Sequence, residues 1–230
     1  MVQVARGLTA DAVVRLEERG LVTATFRRLA PDRQQAVVLA ILDEAFGRGP
    51  SRLRLKEAAQ AAGVAVGSLY QYFGNRQGVI DFTVSFAAGL LADELRGYVP
   101  SLVELPLADG LRAWVGGGLE WSSDHSAVMR FFARAAYEGD AALEQTLVAP
   151  IAQAMLEAVT AMLQEAQRRG EVRADVDLPV AASVVHAALS ATADAVLLDH
   201  LGTYLLPARP AVEAGRTLEA TVDLLCRGLA

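Results

Sequence analysis

The chain has 230 residues, enough to bury a substantial core in one or two domains, and its formal charge of −6 taken alone argues against a nucleic-acid partner. Its single cysteine, Cys226, excludes an internal disulfide, agrees with a reducing compartment and reads as a small apolar residue on a C-terminal helix. The N-terminal stretch lacks a basic patch leading into a long apolar core, and Asp11, Arg15, Glu17, Glu18 and Arg19 interrupt it. Neither a secretory leader nor a membrane-spanning segment is therefore expected, and a cytoplasmic location follows.

Taken in order, residues 1–30 form a helical arm in which TADAVVRLEERG is a short amphipathic helix closed by Gly20. LVTATFRRLAPDR then approaches a longer helix; Arg27, Arg28 and Arg33 read either as contacts to a polyanion backbone or as solvated surface charges. Pro31 suits the first turn of a helix running to about Phe46, which Gly47 and Gly49-Pro50 end, with Val38, Leu42, Ala45 and Phe46 as its apolar stripe. Between Arg52 and Asp81 the pattern changes to two short helices. Leu55, Ala58, Ala59 and Ala62 share one face of the first, Gly63 supplies a turn position that tolerates positive φ, and the second begins near Ala65. This is the shape of a helix-turn-helix. Val64 and Leu69 point back to the first helix, whereas Gly67, Ser68, Gln71 and Tyr70 face outward, short and polar enough to enter a major groove.

The run AAQAAGVAVGSLYQYFGNR resembles the DNA-binding signature of tetracycline-repressor-type (TetR-like) transcriptional regulators, through Ala62-Gly63-Val64, Gly67-Ser68-Leu69-Tyr70, Tyr72-Phe73 and Asn75-Arg76. A weaker similarity reaches back to Phe26. The resemblance implies an all-α protein, with a helix-turn-helix DNA-binding domain at 31–80 and a helical ligand-binding and dimerisation body at 81–230. It also implies operator DNA, a second copy of the chain and a small-molecule effector as partners. By the same resemblance Tyr70, Tyr72 and Arg76 lie at the DNA backbone, with Arg54 and Lys56 as further phosphate contacts; for both tyrosines, core packing is the competing reading. Val66 suits either a thymine methyl or burial against the neighbouring helix. Two positions depart from the family pattern: Arg54 and Ala65 stand where a hydroxyl side chain usually caps each motif helix, and a missing cap costs on the order of 1 kcal/mol.

Charge placement reverses the inference from the net value. Residues 1–80 hold eleven Arg or Lys against seven Asp or Glu, and residues 81–230 hold ten against twenty. A basic N-terminal third on an acidic remainder is what a local phosphate footprint requires.

Asn75 caps a helix expected to reach about Tyr98, with Val79, Phe82, Phe86, Leu90, Leu91 and Leu95 as its apolar set, before a break at Pro100. Further helices are expected at 107–121, 124–137, 140–169, 178–200 and 211–228. Val184, Val185, Ala188, Leu189, Ala195, Leu197 and Leu198, with Val222, Leu224 and Leu225, offer either a dimer face or the chain's own core. Trp114, Trp121, Met129, Phe131, Phe132 and Met155 are candidates for the wall of an effector cavity between body helices, although an aromatic or methionine at helical spacing is more often simple core. His125 and His186 read as structural or ligand-orienting, and Asp199-His200 as a local polar pair. Gly116-Gly117-Gly118 lies within a helix, so close packing or a kink is expected there. The chain has no HExxH, Cys-x-x-Cys, phosphate-binding glycine loop or Gly-x-Ser-x-Gly, so neither a catalytic residue nor a cofactor or metal is expected. The competing class is an all-helical carrier or enzyme with an incidental helix-turn-helix.

Overall fold

The computed structural model describes residues 8–49, 52–138, 141–206 and 214–230, and all regular structure among them is helical. The hydroxyl of Thr9 accepts from the Ala12 N–H to start α1 (Ala10–Glu18), and that of Thr23 accepts from the Phe26 N–H to start the single turn α2 (Ala24–Arg27). Pro31 opens α3 (Pro31–Arg48), where its missing N–H costs nothing. α4 (Leu55–Ala61) and α5 (Val66–Phe73) form the helix-turn-helix. The Asn75 side chain accepts from the Gly78 N–H at the start of α6 (Arg76–Val103). After α7 (Leu107–Asp124) and α8 (Ser126–Glu138), Ala141–Leu143 and a π-helical turn at Glu144–Val148 lead into α9 (Ala149–Arg168). α10 (Leu178–Leu197), α11 (Asp199–Leu205) and α12 (Ala214–Leu229) complete the chain.

The chain divides into two compact units. The first comprises the described residues of Met1–Leu91 and of His125–Ile151. Its core joins Val13, Leu16, Val22 and Phe26 from the N-terminal segment to Val38, Ile41 and Leu42 of α3, Leu69 and Phe73 of α5, and Phe82 of α6. Phe26 is fully buried at the centre of an aromatic cluster, its ring centroid 6.0 Å from Tyr72, 5.4 Å from Phe73 and 6.4 Å from Phe82. Gln34 is buried as well, and its amide donates to the carbonyls of Phe26 and Arg27, each at 3.1 Å. The second unit comprises Ala92–Asp124 and Ala152–Ala230, with Leu107 and Leu111 of α7, Val159 and Leu163 of α9, Val185 and Leu189 of α10 and Val222 of α12 in its core. On its surface Arg112 of α7 donates to Glu219 at 2.6 Å and to Asp223 at 2.7 Å, both on α12.

Several boundaries differ from the periodicity-based expectation. α6 passes through Pro100 to Val103 because the proline comes one turn from the end, where it removes one hydrogen bond, while the added turn buries Leu102 in the core. The Arg169 guanidinium then takes up the carbonyls of Val103 and Leu105 at 2.6 and 2.7 Å. The expected helix 178–200 breaks at Leu198, which has φ −120° and ψ 105° and is itself buried. The expected helix 140–169 carries the π-helical turn at its start. Gly116, Gly117 and Gly118 face open space, since a Cβ at any of them meets nothing within 4 Å; close packing within this chain is not their role. Glu144–Arg168 and Leu178–Leu197 are long and apolar enough to cross a membrane by length and composition, which the sequence reading did not anticipate. Their buried residues, Ala158, Val159 and Leu163 on the one and Ala182, Val185 and Leu189 on the other, serve as core. The first seven residues of the arm, Pro50, the Gly139-Asp140 turn and the start of the predicted helix 211–228 lie outside the described residues.

Candidate nucleic-acid interface

The two motif helices are held by a turn built around Gly63. At φ 66° it lets its own N–H donate to Gln60 and the Val64 N–H donate back to Ala59, so α4 ends in the paired hydrogen bonds that a left-handed residue permits. Arg33 of α3 donates to the Gly63 carbonyl at 3.3 Å and ties the turn to the supporting helix. Neither Arg54 nor Ala65, at the N-terminal caps of α4 and α5, offers a side-chain cap.

α5 divides into two faces. Leu69, Tyr72 and Phe73 are buried and Val66 packs half-buried on the same core, while Gly67, Tyr70 and Gln71 are exposed and Ser68 is half-exposed. Tyr72 is only 8% exposed, with its ring edge-on to Phe26 and to Phe73, so its visible work is packing. The space around Gly67 is open, for a Cβ there meets no atom within 4 Å. Lys56 is exposed, and Arg54 is exposed beside Glu57 at 3.5 Å. Arg76, at the first position of α6, donates to the Leu53 carbonyl at 3.0 Å, which fixes the strand-like approach to α4 and leaves its remaining N–H donors outward. Arg27 pairs with Glu17, and Arg28 donates to its own helix at Ala24.

Three residues that the sequence reading passed over hold this surface in place. Gln34 lies one helical turn before Val38 on the apolar stripe of α3, a register that would have marked it as inward-facing. Gly78 is required by contact: a Cβ there would stand 1.9 Å from the Phe73 carbonyl oxygen at the end of α5. Thr23 donates its hydroxyl to the Gln71 carbonyl at 2.7 Å and its N–H to the Tyr72 carbonyl at 2.9 Å, contacts 48 and 49 positions away that no local pattern announces.

The body residues are distributed differently from the interface. Trp114, Trp121 and Met155 belong to the second unit and Met129, Phe131 and Phe132 to the first, all half-buried. His125 stands edge-on to Phe46, centroids 6.2 Å apart. Burial pushes His186 below the ordinary imidazole value against the opposing charge of Asp194, and burial likewise raises the Cys226 thiol, leaving it un-ionised near neutrality. The side chains of Asp199 and His200 lie outside the described residues. Among the described residues no group of three His, Cys, Asp or Glu is placed to hold a metal. Of the apolar residues offered for a dimer face, Val185, Leu189 and Val222 belong to the second unit's core and Ala195 and Leu198 are buried as well, whereas Val184 and Leu224 are exposed by 56% and 71%.

Residues 40–81 match the family model for bacterial regulatory proteins of the tetR family. No curated protein matches the sequence. Among solved structures, the chain is similar to a candidate TetR-family transcriptional regulator from Mesorhizobium loti (TM-score 0.59, 16% identity, covering 86% of this chain and 96% of that one). A candidate TetR-family regulator from Rhodococcus gives a TM-score of 0.55 at 21% identity, covering 86% of this chain and all of that one. A tetR-family regulator from Streptomyces coelicolor gives 0.53 at 19%, covering 86% and 80%. At these identities the structural likeness speaks for the fold, and the sequence match speaks for the helix-turn-helix. Together they make this chain TetR-like: an all-α protein that carries the DNA-binding domain of that family of transcriptional regulators.

Proposed function

We infer that the chain is a sequence-specific transcriptional repressor that binds a palindromic operator as a homodimer in the cytoplasm and is released by a small-molecule effector. The observation that carries this reading is the division of α5, whose outer face of Gly67, Ser68, Tyr70 and Gln71 is free while its inner face is locked into the core. In this reading Gly67, Ser68 and Gln71 meet base edges, with Val66 at the margin. Arg54, Lys56, Tyr70 and the free donors of Arg76 meet phosphates, and Tyr72 supports them from the core. One such helix covers a short half-site, so two copies related by a twofold axis, about 34–36 Å apart on successive groove faces, suit the geometry. The exposed Val180, Val184 and Leu224 support a second copy packing on α10 and α12. Within the second unit, Trp114, Trp121 and Met155 favour an apolar or aromatic effector. α6, whose residues belong to both units, is the element through which its binding would reach Arg76. The effector must prefer the DNA-incompetent state, since equal affinity shifts no population.

The test is titration of the protein against duplex DNA flanking its own coding region, beside scrambled duplex at moderate salt. Preferential binding to the flanking duplex is expected, with Gln71→Ala reordering the affinities of single-base variants of that site. Equal, weak binding to both duplexes would remove the sequence-specific reading.

A further inference from the structure

We propose that Thr23 is a positioning residue for the reading helix, and that through it the segment Ala10–Arg28, which precedes the family match at residues 40–81, is a working part of the DNA-binding unit. An α-helix leaves its last four carbonyls without partners in its own ladder. In α5 the Tyr70 carbonyl is the last to keep its ladder bond, and beyond it Gln71, Tyr72 and Phe73 each find a donor. The ladder bond from the Gly74 N–H to Tyr70 measures 2.8 Å, and the Asn75 N–H serves Phe73 at 3.1 Å. Gln71 and Tyr72 are both taken by one residue, Thr23, through its hydroxyl at 2.7 Å and its backbone N–H at 2.9 Å.

The two ends of the reading helix are therefore held very unequally. Its N-terminus has Ala65 and no side-chain cap, and is held by the Gly63 turn and the half-buried Val64 and Val66 without a side-chain hydrogen bond to the helix end itself. Its C-terminus is pinned by Thr23, by the close approach of Gly78 to the Phe73 carbonyl, and by Phe26 against Tyr72 and Phe73. Thr23 is itself held in place. Its side-chain oxygen accepts from the Phe26 N–H, Phe26 is fully buried, and the buried Gln34 amide holds the Phe26 and Arg27 carbonyls to α3. The clasp closes on the carbonyl of Gln71, the residue assigned to base reading, so a shift of this helix end displaces that side chain directly.

The DNA half of this inference rests on the regulator reading; the clasp itself does not. The experiment uses the full chain with Thr23→Val, which keeps the shape and the backbone N–H but removes the hydroxyl, and Thr23→Ser, which restores it. Hydrogen exchange is measured at the amides of Leu69–Phe73, with α3 and α10 as internal references. Thr23→Val is expected to raise exchange in α5 by about three- to tenfold while α10 is unchanged, and Thr23→Ser to stay near wild type. A duplex enriched by the wild-type protein from a random-sequence pool, and its single-base variants, are then titrated. Thr23→Val is expected to change the ranking at the base that Gln71→Ala also changes, and Thr23→Ser to restore it. Unchanged exchange in α5, or an equal rise in α3, α5 and α10 with the DNA ranking intact, overturns the proposal. If the wild-type chain enriches no duplex, the regulator reading and the DNA half fall together, and exchange alone decides the clasp.

Discussion

Gly67 and Gly78 are eleven positions apart in one motif and are glycine for opposite reasons. At Gly78 the fold leaves no room, with the Phe73 carbonyl oxygen 1.9 Å from where a Cβ would sit. At Gly67 nothing in the chain occupies that space, and a glycine within a helix costs up to about 1 kcal/mol relative to alanine. The free protein therefore gains nothing visible from Gly67, and the space it leaves lies on the face assigned to DNA. Gly67→Ala is accordingly expected to raise the melting free energy by about 0.5–1 kcal/mol and at the same time weaken binding to the preferred duplex. A thermal melt and a DNA titration on the same sample check both halves. A stabilised variant with undiminished DNA affinity would take Gly67 out of the contact surface.

Among the elements, α5 is short, eight residues, and uncapped at its start, so its stability depends on what surrounds it. Ala65 already has the extended backbone of a cap residue, φ −72° and ψ 149°, and its carbonyl already accepts from the Ser68 N–H. A hydroxyl is the one missing component. Ala65→Ser is expected to stabilise the protein by about 0.5–1 kcal/mol, read as a higher denaturant midpoint at unchanged slope, and to slow amide exchange in the first turn of α5. No stabilisation would mean that Ala65 lacks the room or the direction a cap needs. The absence of this cap was legible from the sequence, because capping is a matter of one residue and its next three. The continuation of α6 through Pro100 was not, because the burial of Leu102 and the two Arg169 hydrogen bonds that follow it come from residues distant in the chain.

For the molecule as a whole, the turn between α6 and α7 is held within the second unit by charge. Glu171 accepts from the Leu107 N–H at 2.6 Å and pairs with Arg169, which caps the end of α6. Partial burial works to raise the Glu171 carboxyl, but the Leu107 N–H and the Arg169 charge outweigh it and hold the group below the ordinary glutamate value. A carboxyl depressed in the folded state contributes stability that is present above its unfolded value and lost as pH falls through the folded one. Glu171→Gln is therefore expected to lower stability by about 1–2 kcal/mol at neutral pH, with the gap to wild type closing as pH falls below about 4. Melts of both proteins between neutral and acid pH measure this; a gap independent of pH would show that packing, not the carboxylate, is what the site contributes.

The sequence alone determined the helical class, the helix-turn-helix and its outward residues, because each rests on interactions within about one helical turn. The spacing of Leu55, Ala58, Ala59 and Ala62 and the positive φ of Gly63 are local facts, as is the alternation of faces along α5. Tertiary structure alone decided that Phe26 and Gln34 lie buried in the first unit, that Thr23 closes the end of α5, and that His125–Ile151 joins the first unit. It also divided the apolar residues of the last helices, giving Val185 and Val222 to the chain's own core and leaving Val184 and Leu224 outside. An apolar side chain looks the same in sequence whichever surface it faces, and a hydrogen bond spanning 48 positions leaves no periodic trace, so only the path of the chain could settle them.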